Sequence, residues 1–338
     1  MLFLPDGNQK CRYERLLIPL CWGEGSLVVV KTTAQLVEAM MYAKSEGLRV
    51  HVIGEGTNTF FGDDLKSFLF IKMAIKGISL EEQEDIVLLK ASAGENWDDI
   101  VMLCVEKNYW GIENLSYIPG TVGGAPIQNI GAYGSELADV FVSLQAVDIQ
   151  TLDLVSIDYT ACEFKYRDSL FKHQEGRYII TSVTLKVSKA IQPRLTYTPL
   201  DSLLLKPSIS IQEVRDLVVK TRNEKLPDYI SYPNAGSFFK NPVVNGAQAE
   251  GLRLLYPDMP CIPHGNDIKI PAAWLIEHVG EAKGLREGDV GTWPSQPLVL
   301  VNYGHASSKD VLTFSNNLVQ KIREKTGVQL ECEVNFVK

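Results

Sequence analysis

The side chains best suited to chemistry in this sequence sit in three short stretches. The nine residues from Asn234 to Pro242 set a hydroxyl, a cation and two amides around a pair of phenylalanines. They lack the G-x-S-x-G elbow that presents a hydrolase nucleophile. Ser237 is read either as a proton donor to a transient carbanion or as a buried turn serine bonded to main chain, and the residues leave both open. Arg167, inside the run from Lys165 to Ser169, could grip a carboxylate through two parallel N–H bonds or pair with Asp168. Glu331 and Glu333 stand two apart in a predicted strand and so share a face; such pairs are ordinarily solvated. The histidines (51, 173, 264, 278, 305) are scattered and match no triad or metal spacing, so they are read as structural. Tyr197 lies on a proline-punctuated loop where a ring could cover a ligand, while Lys225 and Lys283 read as surface charges.

Two glycine-rich stretches could hold a ligand. Ile118 to Glu136 carries glycines at 120, 123, 124, 131 and 134, prolines at 119 and 126, and the amide pair Gln128-Asn129. Glycine and proline weaken both helix and strand, and the stretch is too apolar for a solvated linker. It is irregular backbone brought close to something flat or anionic, with N–H groups turned toward it, or else a glycine-rich packing corner. Gly54 to Asn58 follows a strand but reads Gly-Glu-Gly-Thr-Asn, without the third glycine or the following helix of a dinucleotide fingerprint. A Rossmann site is therefore disfavoured. Two such loops could still clasp one extended cofactor.

Composition narrows the classes. A net charge of −8 argues against nucleic-acid binding, which wants a basic surface. The cysteines (11, 21, 104, 162, 261, 332) are far apart, with no C-x-x-C, which suits reduced thiols rather than a disulfide framework or a structural metal. No leader or membrane-length apolar run is visible. A cytoplasmic protein, expected as a monomer and with no membrane or nucleic-acid partner, is the result.

The elements that must position these residues read as α+β. Leu27–Val30 is a predicted strand, and Thr32 or Thr33 caps a helix from Ala34 to about Ser45 that stops at Gly47. Arg49–Ile53 and Phe68–Met73 complete one unit. Ile86–Ala91, a helix over Trp97–Lys107, and strands Val140–Ile149, Asp153–Asp158 and Arg177–Val187 form a second, the last alternating between an apolar face and Ser182, Thr184 and Lys186. Ser210 caps a helix Ile211–Asn223. A third unit holds Ser237–Phe239, a helix near Pro271–His278, strand Leu298–Asn302, a helix from Ser308 to Lys325 stopped by Gly327, and a final strand Val328–Val337. The first 25 residues show no period.

Five motifs in this order resemble the UDP-N-acetylenolpyruvoylglucosamine reductase family: Gly54–Asn58, Ile118–Gly134, Tyr166–Ser169, Asn234–Pro242 and Glu331–Val334. The resemblance runs from about Thr32 to the C-terminus. It implies a two-part FAD-binding fold of the vanillyl-alcohol-oxidase/PCMH type, outside the Rossmann scheme, with a separate α/β substrate-binding domain. The corresponding division is residues 1–75 and 76–225 for the two FAD-binding subdomains and 226–327 for the substrate domain, with 328–338 returning to the second subdomain. The implied reaction is NADPH-dependent, FAD-mediated reduction of UDP-N-acetylglucosamine enolpyruvate in peptidoglycan precursor synthesis. The implied catalytic residues are Arg167, Ser237 (proton donor) and Glu333. FAD contacts fall on Gly54, Gly56, Thr57, Asn58, Pro119, Gly120, Thr121, Gly123, Gly124, Gln128, Asn129, Gly131 and Ala132, with the Gln128-Asn129 amides expected at the flavin's polar edge. Substrate contacts fall on Tyr197, Lys225, Asn241, Lys283 and Gln296, and no metal is implied. Leu16–Trp22 departs from the family pattern, Thr57 stands where serine is common, and Gly123-Gly124-Ala125 implies contacts made by backbone. A flavin oxidase on the same fold and a non-catalytic flavin or sugar-nucleotide binding module are the competing expectations.

Overall fold

A computed structural model of the chain describes residues 26–62 and 65–337; the departure at Leu16–Trp22 lies outside them. The described residues form two compact units, one of residues 26–55 and 66–222, the other of residues 56–62, 65 and 223–337.

The first unit contains two sheets. Ser26–Val30, Phe68–Met73 and Arg49–Ile53 pair in that order, all parallel. The middle strand is buried except at Lys72, because it has neighbours on both sides. Helix Thr33–Ser45 links the first strand to Arg49–Ile53, with Thr32 accepting from the Gln35 N–H at its start and Gly47 at φ +67° just past its end. The second sheet is antiparallel, in the order Leu154–Asp158, Phe141–Asp148, Tyr178–Ser188, Ile86–Ser92, Ile78–Glu82. Asn96 caps helix Trp97–Glu106 by accepting from the N–H groups of Asp98 and Asp99. One continuous core, including Leu36, Ile71, Leu89 and Val183, runs through both sheets. The boundary expected near residue 75 therefore separates two sheets of one unit. In Tyr178–Ser188 the alternation breaks at a bulge between Ile180 and Ser182, and Ser182, read on the face opposite the apolar one, is buried. A strand paired on both edges has less solvent to offer.

The second unit has an antiparallel sheet in the order Asn234–Ser237, Gln296–Asn302, Val290–Trp293, Arg286–Glu287, and a smaller one of Val243–Val244, Asp267–Lys269 and Ile262–His264. Helix Ser308–Thr326 opens on a reciprocal Ser307–Asp310 capping box and ends at Gly327, φ +69°. The helix expected near Pro271 is a turn over Ala272–Trp274 that widens to π geometry over Leu275–Val279. The helix Gly246–Leu255 was not anticipated. The long final strand is also corrected: only Asn335–Val337 joins a ladder, parallel to Thr59–Phe61. The C-terminal strand thus pairs with residues 59–61 within the second unit. Among the described residues no helix is long and apolar enough to cross a bilayer.

His51, in strand Arg49–Ile53, is held neutral: burial, then the nearby Arg49 charge, lowers its pKa to about 4. With the folded pKa below the unfolded one, the cost is absent above pH 6.5. Stability is lost as pH falls from there toward 4, because the unfolded chain takes up the proton first. Replacing His51 with Phe is expected to remove about 2 kcal/mol of the stability lost between pH 7 and 4.5, measured as urea midpoints at the two pH values. An unchanged pH dependence would show that His51 is not the titrating group.

Candidate active site

In the first unit the two glycine stretches touch. Strand Arg49–Ile53 runs into Gly54, where a Cβ would collide with the Thr121 hydroxyl. Glu55 completes the join: its carboxylate accepts from the Gly120 N–H and from Asn96 Nδ2, each at 3.0 Å. The Gly54 carbonyl accepts from Lys72 Nζ, an ammonium whose pKa is lowered mainly by burial. Gly123 passes equally close to its neighbour, with a would-be Cβ 2.7 Å from that of Ala93. Side chains at 54 and 123 are excluded by contact, which is a reason for glycine that needs no appeal to flexibility. Gly56 requires its glycine differently, at φ +75°. Among the described residues, the main-chain N–H groups of Glu55, Gly56 and Thr57 have no acceptor in the protein.

Beyond Gly124 the chain wraps around Asn129, which is 1% exposed and sits at φ +45°. Its Nδ2 donates to Glu136 Oε2 (2.8 Å) and to the Lys165 carbonyl (3.1 Å), and its Oδ1 accepts from the Ala138 N–H (2.9 Å). Both amide hydrogens expected at the flavin's edge are spent inside the protein. Asn129 therefore shapes the loop. The hairpin Gly131–Ala132/Ser135–Glu136 follows, and Arg167 lies over it. Lys165 and Asp168 exchange two main-chain bonds of 3.1 Å around the Tyr166-Arg167 turn, with Arg167 at φ +54°. Arg167 Nη2 donates to the Gly131 carbonyl at 2.6 Å. Asp168, considered as its partner, bonds His173 Nε2 at 2.8 Å. Tyr197 is 49% exposed, with its ring edge-on to Tyr133 at 6.0 Å.

Arg222 was missed by sequence reasoning. Its Nε donates to the Tyr117 carbonyl at 3.0 Å, while the Tyr117 N–H reaches Asp98, itself gripped by both nitrogens of Arg215 at 2.7 Å. This clamp holds Tyr117, φ +61°, at the entrance to the glycine stretch. Burial lowers the Arg222 pKa, and Tyr133 and Asp98 act against that shift. The seven-residue spacing of Arg215 and Arg222 on one helix face was the available signal.

In the second unit Ser237 sits on a bulge. Asn234 pairs with Val301 but Ser237 with Val299, so one extra residue is accommodated. Gly236 takes it at φ +70°, and its N–H donates to Asn234 Oδ1 at 2.9 Å. Phe238 is bonded on both sides, its N–H to the Leu298 carbonyl and its carbonyl to the Glu333 N–H, both at 2.9 Å. Lys240 N–H to the Glu331 carbonyl (2.8 Å) extends this pairing. Ser237 and Glu333 therefore lie on adjacent rungs. The two glutamates differ: Glu331 is exposed and 3.9 Å from Lys240 Nζ, whereas Glu333 is 9% exposed. Among the described residues, the half-buried Ser237 hydroxyl has no hydrogen-bond partner. Asn241 Oδ1 accepts from the Ala272 N–H at 2.8 Å. Lys283 pairs with Glu277 at 2.7 Å, Lys225 is an exposed helix end, and Gln296 opens the strand Gln296–Asn302.

Close-packed glycines and main-chain N–H groups without a protein acceptor among the described residues suit an extended anionic cofactor bound by backbone. Comparison with known proteins agrees. Residues 26–152 match the FAD binding domain model, and residues 228–337 match the model of the UDP-N-acetylenolpyruvoylglucosamine reductase C-terminal domain. The chain is 42% identical over 315 residues to the enzyme of that name from Pseudomonas aeruginosa, covering 92% of each. It is 40% identical over 316 residues to that of Escherichia coli O157:H7, covering 92% of this chain and 91% of the other. The reductase structure from Thermus caldophilus superposes with TM-score 0.67 at 24% identity, over 97% of this chain and 99% of that one, and shares the fold.

Gly54→Ala is expected to lower FAD affinity roughly tenfold or more, read as flavin absorbance of the purified protein and by titration of the apoprotein. Adding Thr121→Gly should restore most of it by vacating the contact. Full retention in the single variant would mean that the glycine contact does not shape the cofactor site.

Proposed function

The chain belongs to the UDP-N-acetylenolpyruvoylglucosamine reductase family, and from that premise we propose that it reduces the enolpyruvyl ether of UDP-N-acetylglucosamine to UDP-N-acetylmuramate with electrons from NADPH, a step in making peptidoglycan precursors. FAD, when bound, would supply the hydride chemistry that links NADPH oxidation to reduction of the enol ether. The protein's own residues handle the charge and the proton. Hydride addition converts the methylene to a methyl group and leaves an electron pair on the adjacent carbon, shared with its carboxylate. Fixed cationic and hydrogen-bonding groups stabilise such a species. Arg167 is assigned to the carboxylate, its guanidinium already oriented by the Gly131 carbonyl. Glu333 is assigned a hydrogen bond to the same developing charge through a shared proton. Ser237 then gives its hydroxyl proton to the carbon and recovers one from water.

The observation that carries this reading is Ser237 itself. Its hydroxyl is held on a bulge, without a protein partner among the described residues, and its backbone is one rung from that of Glu333. A turn serine serving structure would bond to main chain. Tyr197, Lys225, Asn241, Lys283 and Gln296 are assigned to the sugar nucleotide. We place the reaction in the cytoplasm, where NADPH and nucleotide sugars are made, and one chain suffices for every role.

Ser237→Ala is expected to slow reduction of the enolpyruvyl nucleotide by roughly 100-fold or more, while NADPH still reduces the flavin at nearly the normal rate. Anaerobic rapid mixing separates the two half-reactions. Equal slowing of both would remove Ser237 from the role of proton donor.

A further inference from the structure

Asn114 is the one described residue with a buried side-chain polar atom lacking a partner, its Oδ1. The residue is 1% exposed, in the short turn Glu113–Leu115. Its Nδ2 gives one hydrogen to the Tyr133 carbonyl and the other to the Arg194 carbonyl, both at 2.8 Å. Turning the amide over would face its oxygen to two carbonyl oxygens, so the orientation is set. A buried acceptor without a donor is costly, and the amide is therefore kept for its two donors.

Those donors join two segments that no ladder joins. One is the hairpin that Arg167 overlies, with Tyr133 at its turn. The other is the strap leading to Tyr197. Arg194 also forms an ion pair with Asp139, just past the hairpin, and Leu195 is buried. Thr196 Oγ1 and Tyr197 Cβ lie 3.7 Å from where a Cβ on Gly134 would stand. On the far side Leu200 and Leu203 are buried. Tyr197 is thus an exposed crest between two anchors, and the nearer anchor hangs on Asn114.

We propose that Asn114 is a positioning residue that latches the Arg194–Tyr197 strap to the glycine hairpin and so sets where Tyr197 stands. This rests on the reading above for what Tyr197 covers, namely the sugar nucleotide. The latch itself is independent of that reading.

Trypsin tests it directly, because the carbonyl held by Asn114 belongs to the Arg194–Leu195 bond that trypsin would cut. Asn114→Ala leaves room for water at the two carbonyls, and Asn114→Leu keeps the shape without the donors; either one that folds serves. Nicking after Arg194, followed by mass spectrometry on the FAD-loaded enzyme, should accelerate roughly tenfold or more, with cleavage elsewhere unchanged. The KM for the enolpyruvyl nucleotide should rise roughly tenfold, with flavin reduction by NADPH changed less than about twofold. Unchanged nicking after Arg194, or faster nicking everywhere, overturns the latch. Local nicking with an unchanged KM overturns the placement of Tyr197 over substrate. If the unmodified enzyme does not act on the nucleotide at all, the functional reading fails, and the nicking result still decides the latch.

Discussion

A single buried carboxamide, that of Asn129, gives the glycine-rich segment its shape. Three hydrogen bonds tie it to the end of the hairpin, to the main chain at Ala138 and to the turn that carries Arg167. Each contributes about 1 kcal/mol net, and leaving the buried partners unsatisfied would cost more. Asparagine also tolerates the left-handed backbone found there better than a bulky residue would. The hairpin and the Arg167 turn are thus bonded to one amide, and Arg167 returns a bond to Gly131. The position of the guanidinium follows from loop architecture more than from its own neighbours in sequence.

The same economy appears at the other glycine contacts. Glu55, an exposed carboxylate on a turn, spans to Gly120 and Asn96, and Gly54 meets Thr121 with no room for a side chain. In both places side chains hold the main chain in position. In the second unit the backbone again decides what the chemistry needs. The bulge at Gly236 presents Ser237, and a main-chain bond ties the neighbouring Phe238 to Glu333. A hydroxyl is a weak acid, so its usefulness rests on being held where charge develops.

Much of the scaffold was legible because it is written in local signals. Thr32 marks a helix start, Gly47 and Gly327 mark stops, and short apolar runs give the strands of both sheets in the first unit except Ile78–Glu82. What escaped depends on contacts between residues distant in sequence. Nothing near Glu331 says that it is solvated while Glu333, two residues on, is buried, because their surroundings come from the strand at Phe238 and Lys240. Residues 328–337 read as one long strand, but only Asn335–Val337 forms a regular ladder, while Cys332 makes a single bridge to Phe239. The resemblance implies Gln128 and Asn129 at the flavin; that the Asn129 side chain bonds Lys165, Glu136 and Ala138 could not be read locally. Arg222 and Asn114 carry no motif of their own and become visible only through Tyr117, Tyr133 and Arg194.

The central claim is that backbone held by Glu55 and Asn129 carries FAD, and that the acid–base residues act on an enolpyruvyl ether. Anaerobic stoichiometry of the unmodified protein addresses it most directly. The purified protein is mixed with limiting NADPH and with the enolpyruvyl derivative of UDP-N-acetylglucosamine, and both products are counted. The account predicts a yellow protein that forms one equivalent of the saturated lactyl ether for each NADPH oxidised. A protein without flavin, or one whose reduced flavin persists until oxygen is admitted and ignores the enolpyruvyl nucleotide, would contradict it.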